Sequence, residues 1–145
     1  MGACNAAVVV VPLGNITYWS DANSWINRNK TLPVDGDSVV IESGWNMILD
    51  INTPNLTKIT INGRLSFLNT TNITLTSASV FIYAGELFIG SKEYPYKYNA
   101  KIQLEGGRFS TPIAFDGDVE GGNKILANVG TIKMYGIQRK YLFRL

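Results

Sequence analysis

Residues 59–67 read ITINGRLSF. Ile59, Ile61, Leu65 and Phe67 alternate with polar residues on either side of Asn62-Gly63. A period of two turns one face of each half toward a core, so the stretch predicts two strands joined at the glycine. Asn-Gly predicts a turn or kink, because positive φ costs little there. The phrase recurs. Residues 80–89, VFIYAGELFI, repeat it around Gly85, and residues 102–109, IQLEGGRF, around Gly106. Looser copies are residues 39–47, VVIESGWNM, around Gly44, and 125–134, ILANVGTIKM, around Gly130. The glycines 44, 63, 85, 106 and 130 are spaced by 19, 22, 21 and 24 residues. The expectation is five units, each a strand, a glycine-marked turn and a strand.

Units of about 20 residues cannot each bury an apolar face alone and must stack on one another. Helical periodicity of useful length is absent, and turn signals recur every few residues. The fold expected is all-β. Stacked strand-turn-strand units in a β-solenoid, of the parallel β-helix kind, are favoured, and an antiparallel β-sandwich is the alternative. Residues 1–18 read as an N-terminal strand or extension and 19–145 as the β domain. Ser38–Ile41, 47–51, 56–67, 73–75, 80–89 and 101–104 are expected strands, with Phe109, 113–115 and 124–135 completing the pattern. Ser20-Asp21 is placed to cap a short helical turn over residues 22–24. Trp19 and Trp25 are expected to close one end of the core. The tail, residues 136–145, is basic and aromatic and ends on an apolar residue without a polar cap. It predicts either a piece of something longer or docking through this end.

Composition narrows the function. At 145 residues the chain is long enough for one core, and its hydrophobic content of 46% with 17% charged residues excludes a disordered chain. Net charge is +2 and no Lys/Arg run exceeds two residues, so nucleic acid is not an expected partner. No apolar run approaches the roughly 20 residues that cross a bilayer, so membrane insertion by this chain is not expected. The single Cys4 closes no internal disulfide. Five asparagines stand in Asn-x-Ser/Thr: Asn15, Asn29, Asn55, Asn69 and Asn72. Chance placement gives about two, so the excess points to a glycosylated, secretory chain. The plainer reading is that Asn and Thr fill β-turns.

An ordered series of residues carries a resemblance. It runs through Trp19-Ser20, Trp25, Pro33, Gly36-Asp37, Val39, Ile41, Gly44 and Leu49-Asp50. It continues through Leu56, Ile59, Ile61, Gly63, Leu65, Phe67, Gly85, Leu87, Ile89-Gly90-Ser91, Pro95, Ile102, Leu104, Gly106 and the phrase IKMYG at 132–136. Over residues 19–145 the chain resembles the eight-glycine (G-eight) extracellular domain family, as in fibrocystin-like and cell-migration-inducing hyaluronan-binding proteins. The resemblance implies an extracellular all-β module of paired strands, commonly followed by a parallel β-helix and associated with binding. The chain stops where that larger β-helix would begin. Catalysis in hyaluronidase members is not carried over.

The chemistry agrees with binding. There is no histidine, which removes the Ser-His-Asp and Cys-His arrangements and the commonest general base. One cysteine excludes thiolate zinc sites. Asp35/Asp37 and Asp116/Asp118 each flank a glycine, a spacing that suits calcium or, more plainly, turn chemistry. Asp50, Glu86, Glu105 and Glu120 offer scattered carboxylates, and nothing selects a glycosidase pair. No catalytic residue, metal or cofactor is therefore expected. Tyr94-Pro95-Tyr96-Lys97-Tyr98 is the candidate ligand-binding segment. Tyr94, Tyr96 and Tyr98 offer flat faces for a sugar or protein, and Lys97 with Lys92 would draw an acidic polysaccharide. The bland alternative has Tyr96 plugging the end of the core. The expected function is an extracellular module that recognises a glycan or protein or caps a β-helix. A subunit of an extracellular assembly, joined by self-association along strand edges, is the alternative. A non-catalytic part of a hyaluronidase-like ectodomain is the third reading.

Overall fold

A computed structural model describes residues 12–114 and 121–138. Among these described residues ten strands and one short helix follow in order. They are β1 (Ile16–Tyr18), α1 (Ala22–Ile26), β2 (Ser38–Ile41), β3 (Asn46–Leu49), β4 (Leu56–Ile61), β5 (Arg64–Phe67), β6 (Ile73–Ile82), β7 (Glu86–Ile89), β8 (Ala100–Leu104), β9 (Ile125–Asn128) and β10 (Thr131–Met134). One sheet runs β1-β3-β5-β7-β10; the other runs β2-β4-β6-β8, with β9 also on β6. Among the described residues every strand pairing is parallel, where the sandwich weighed as the alternative would be antiparallel. The all-β class therefore holds, with parallel sheets.

Sequence alternation sets the two faces. In β5 and β7 alternate residues are buried, and the register lines up the buried ones of successive strands. Met47, Leu65, Leu87 and Ile132 form one row, and Leu49, Phe67, Ile89 and Met134 the next. Across from them, Val39, Ile59, Val80 and Leu126 share a row, and Ile41, Ile61 and Ile82 another. All of these except Leu126 and Met134 belong to one continuous core, with Ile132 partly buried against it.

The corner between the sheets fixes where glycine must stand. Gly63 and Gly85 lack positive φ, contrary to the turn chemistry expected of Asn-Gly. Their cause is proximity. A Cβ on Gly63 would lie 2.3 Å from the Glu42 carbonyl oxygen, one on Gly85 2.3 Å from that of Gly63, and one on Gly130 2.4 Å from that of Gly85. The corners stack directly, and backbone amides cross the same gaps: Glu86 N donates to Gly63 O at 2.8 Å and Thr131 N to Gly85 O at 3.0 Å.

That column corrects the unit count. It passes from Gly85 to Gly130 and omits Gly106, so residues 102–109 are no unit of their own. The complete units are β2–β3, β4–β5, β6–β7 and β9–β10. Other boundaries shift too. Residues 73–82 are one ten-residue strand, and β1, within the stretch 1–18 expected as an N-terminal strand or extension, pairs with β3. Phe109 lies in a turn. The expected strand at 113–115, the Asp116/Asp118 pair, Glu120, Cys4 and residues 139–145 fall wholly or partly outside the described residues.

One end of the core is closed. Asp21 caps α1, its Oδ1 accepting from Asn23 N at 2.9 Å, as the sequence predicts. The helix carries Trp25 inward, where its ring nitrogen donates to Trp19 O at 2.9 Å. Trp19 and Trp25 meet edge to face at 5.0 Å, Trp25 and Trp45 at 6.2 Å, and the Arg28 guanidinium lies 4.4 Å over Trp45. All three rings are buried in the core at this end.

Candidate functional site

The candidate segment leaves β7 at Gly90, whose φ of +71° reverses the chain. A side chain there would collide with Tyr135 O and Tyr96 N, at 2.5 and 2.6 Å. Ser91 N donates to Tyr94 O, and Tyr94 N to Ser91 Oγ, both at 3.0 Å, closing a tight turn. Asn69 then clasps the loop from the layer below. Its Nδ2 donates to Pro95 O at 2.9 Å and its Oδ1 accepts from Lys97 N at 2.8 Å. Tyr96 N donates to Tyr135 O at 2.7 Å, which ties the segment to the end of β10.

These bonds sort the tyrosines. Tyr96 points inward. It is buried, meets Phe67 edge to face at 6.4 Å, and presents its hydroxyl to Leu68 O at 3.1 Å and Thr71 O at 2.8 Å. Burial pushes its phenol pKa above the usual tyrosine value, because the phenolate would lose its hydration. Tyr94 and Tyr98 point outward, 77% and 46% exposed. Tyr98 stands edge to face with Tyr96 at 6.5 Å, so the buried ring orients the exposed one.

Beside them opens a groove of about 470 Å³, lined among others by Ile89, Tyr96, Lys97, Tyr98, Met134 and Ile137. Its walls mix apolar and aromatic side chains with polar groups, among them Asn99 and the Lys97 ammonium, and no carboxylate lines it. Such a surface holds a ring or an apolar side chain by contact and draws negative charge. The structure thus brings Lys97 and Tyr98 together with residues of β10 and leaves Tyr94 on the outer turn. Met134, Tyr135 and Ile137 entered the sequence reading only through the last repeat copy, the phrase IKMYG and the tail, and none was a candidate site residue. Nothing in the local pattern signals that this stretch returns beside residues 94–98.

The scattered acids do not converge. Asp50 accepts from Ser20 N at 3.0 Å and Ser20 Oγ at 2.5 Å. Glu86 pairs with Arg64 at 2.7 Å, and Glu105 accepts from Gln103 Nε2. Asp37 Oδ2 accepts from Val34 N at 2.9 Å, which is turn chemistry, and Asp35 Oδ1 from Asn55 N at 2.8 Å, which ties this turn to the start of β4. Among the described residues no cluster of acids, cysteines or histidines suits a metal ion.

With this geometry in view, the comparisons decide the family. The G8 domain model matches residues 24–145. The chain belongs to the G8 domain family. It is 38% identical to mouse fibrocystin (Mus musculus) over 131 residues, covering 85% of this chain and 3% of that protein. Dog fibrocystin (Canis lupus familiaris) is 35% identical over 128 residues, again 86% of this chain and 3% of its relative. Human fibrocystin-L (Homo sapiens) is 28% identical over 123 residues, with 84% and 3% covered. The G8 domain therefore spans a small fraction of the curated relatives it matches. No solved structure matches it.

Proposed function

We propose that this G8 domain is a non-catalytic, extracellular module of a larger protein, one that caps a β-solenoid and offers a recognition edge for a glycan or protein. The four strand-turn-strand units are read as successive coils of that solenoid, each giving one strand to each sheet. The observation that carries the proposal is the difference between its two faces. The first layer lies under three tryptophans. In the last layer, Leu126 stands in register with the fully buried Val80, and Met134 with the buried Ile89, yet they are 37% and 52% exposed. Side chains in core rows that still meet solvent are complementary to a further layer of strands. The membership of fibrocystin and fibrocystin-L in the same family supports a module within a longer chain.

The test is a double variant, Leu126→Lys with Met134→Lys. It is expected to keep the melting temperature and to lose binding of a hydrophobic dye. A drop as large as that of a core substitution would show that the last layer is already covered. For the recognition edge, titration of acidic and neutral oligosaccharides should show signal lost on Tyr98→Ala and salt-dependent weakening on Lys97→Ala. Turnover of a hyaluronan fragment by the purified chain would overturn the non-catalytic reading. The exposed strand edges favour the second reading, self-association, and a monomer in sedimentation velocity rejects it.

A further inference from the structure

β6 is paired along its whole length, but by two strands. Ile73–Ser77 pair with β8, ending at Ser77 opposite Leu104. Ser79–Ile82 pair with β9, beginning at Ser79 opposite Ile125. Only Ala78 lies between the two registers. On its other side β6 meets β4, where Leu56 faces Ser77 and Lys58 faces Ser79, so β4 crosses the same point with the single residue Thr57. The chain on the β8–β9 side spends residues 105–124, twenty residues, on that one position.

The two legs of this excursion meet at its base. Glu105 N donates to Ser77 O at 2.9 Å, so Glu105 continues the ladder as the residue opposite Ala78 would. Gly106, at φ +149°, passes so near Asn123 that a Cβ would lie 2.8 Å from its carbonyl oxygen. Asn123 Nδ2 donates to Gly107 O at 2.6 Å. Further out, Ile113 N donates to Gly122 O at 2.8 Å and Gly121 N to Ile113 O at 3.0 Å. The described residues of its two legs thus bond to one another. Among its described residues none belongs to the core, and Phe109 is 94% exposed.

We propose that residues 106–124 are an insertion into a single strand, separable from the fold that carries it. Without them, Ala100–Glu105 run directly into Ile125–Asn128 and form ten residues opposite the ten of β6.

The test uses two variants of the full chain. One deletes residues 106–124. The other replaces residues 107–122 by a four-residue Gly/Ser linker, keeping Gly106, Asn123 and Lys124. Both are expected to keep the β circular-dichroism signal and to melt within about 5 °C of the parent, since neither removes a core contact. Folding of the linker variant alone still supports the insertion and places the fault at the splice. Loss of the strand signal in both variants would overturn the proposal, because the excursion would then be part of the frame.

Discussion

Gly85 sits so closely over Gly63 that a Cβ on Gly85 would stand 2.3 Å from the Gly63 carbonyl oxygen. That oxygen also accepts the Glu86 amide at 2.8 Å, so the backbone cannot move away without breaking the ladder. Gly85→Ala is therefore expected to destabilise the domain by about 2–4 kcal/mol, in the range of overpacked cores and lost buried hydrogen bonds. Gly36 is the control: its φ is +89° and nothing lies within 4 Å, so Gly36→Ala should cost about 1 kcal/mol of backbone strain. Urea titration of the two variants distinguishes crowding from dihedral strain, and equal losses would reject the stacked corner as the cause.

Trp25 closes the first layer, and Met134 leaves the last one open. Trp25→Ala should cost about 3–5 kcal/mol, through lost burial and the unpaired Trp19 carbonyl. Met134→Ala, half exposed, should cost under about 1 kcal/mol. Chemical denaturation of both variants checks the pair.

The Tyr96 hydroxyl bridges to Leu68 O and Thr71 O from a buried ring. Tyr96→Phe is expected to cost about 1–2 kcal/mol at neutral pH. The pH dependence has a defined sign. The folded state raises the phenol pKa, so it holds the proton more tightly than the unfolded chain does. The resulting stability is fully present below the unfolded tyrosine value near 10 and is lost as pH rises through the folded value. Melting curves between pH 8 and 11 should fall more steeply for the parent than for Tyr96→Phe.

Asn69 and Asn55 both sit in glycosylation sequons but differ in what their side chains do. Asn69 holds Pro95 and Lys97 with both ends of its amide, and a glycan on Nδ2 would occupy the atom that donates to Pro95. Asn55 is exposed at the start of β4. Peptide mass mapping of the chain from a secretory host should find Asn55 occupied before Asn69. Asn69→Gln should also destabilise by about 1 kcal/mol, whereas Asn55→Gln should be neutral.

Much of this was legible in the chain itself. Alternation at Ile59, Ile61, Leu65 and Phe67 determined strands and their buried faces, because the two-residue period is a property of the local backbone. Asp21 before Ala22 marked the helix cap, and Trp19 with Trp25 marked the closed end. Only the tertiary structure decided which glycines stack. Gly106 matches the repeat in spacing, but the corner over Gly85 belongs to Gly130, since a column is set by which strands pair and not by distance along the chain. The same cause split one strand into β8 and β9 and turned Tyr96 inward while Tyr98 stayed out. Neighbours far apart in sequence fixed those outcomes, and local pattern carries no record of them.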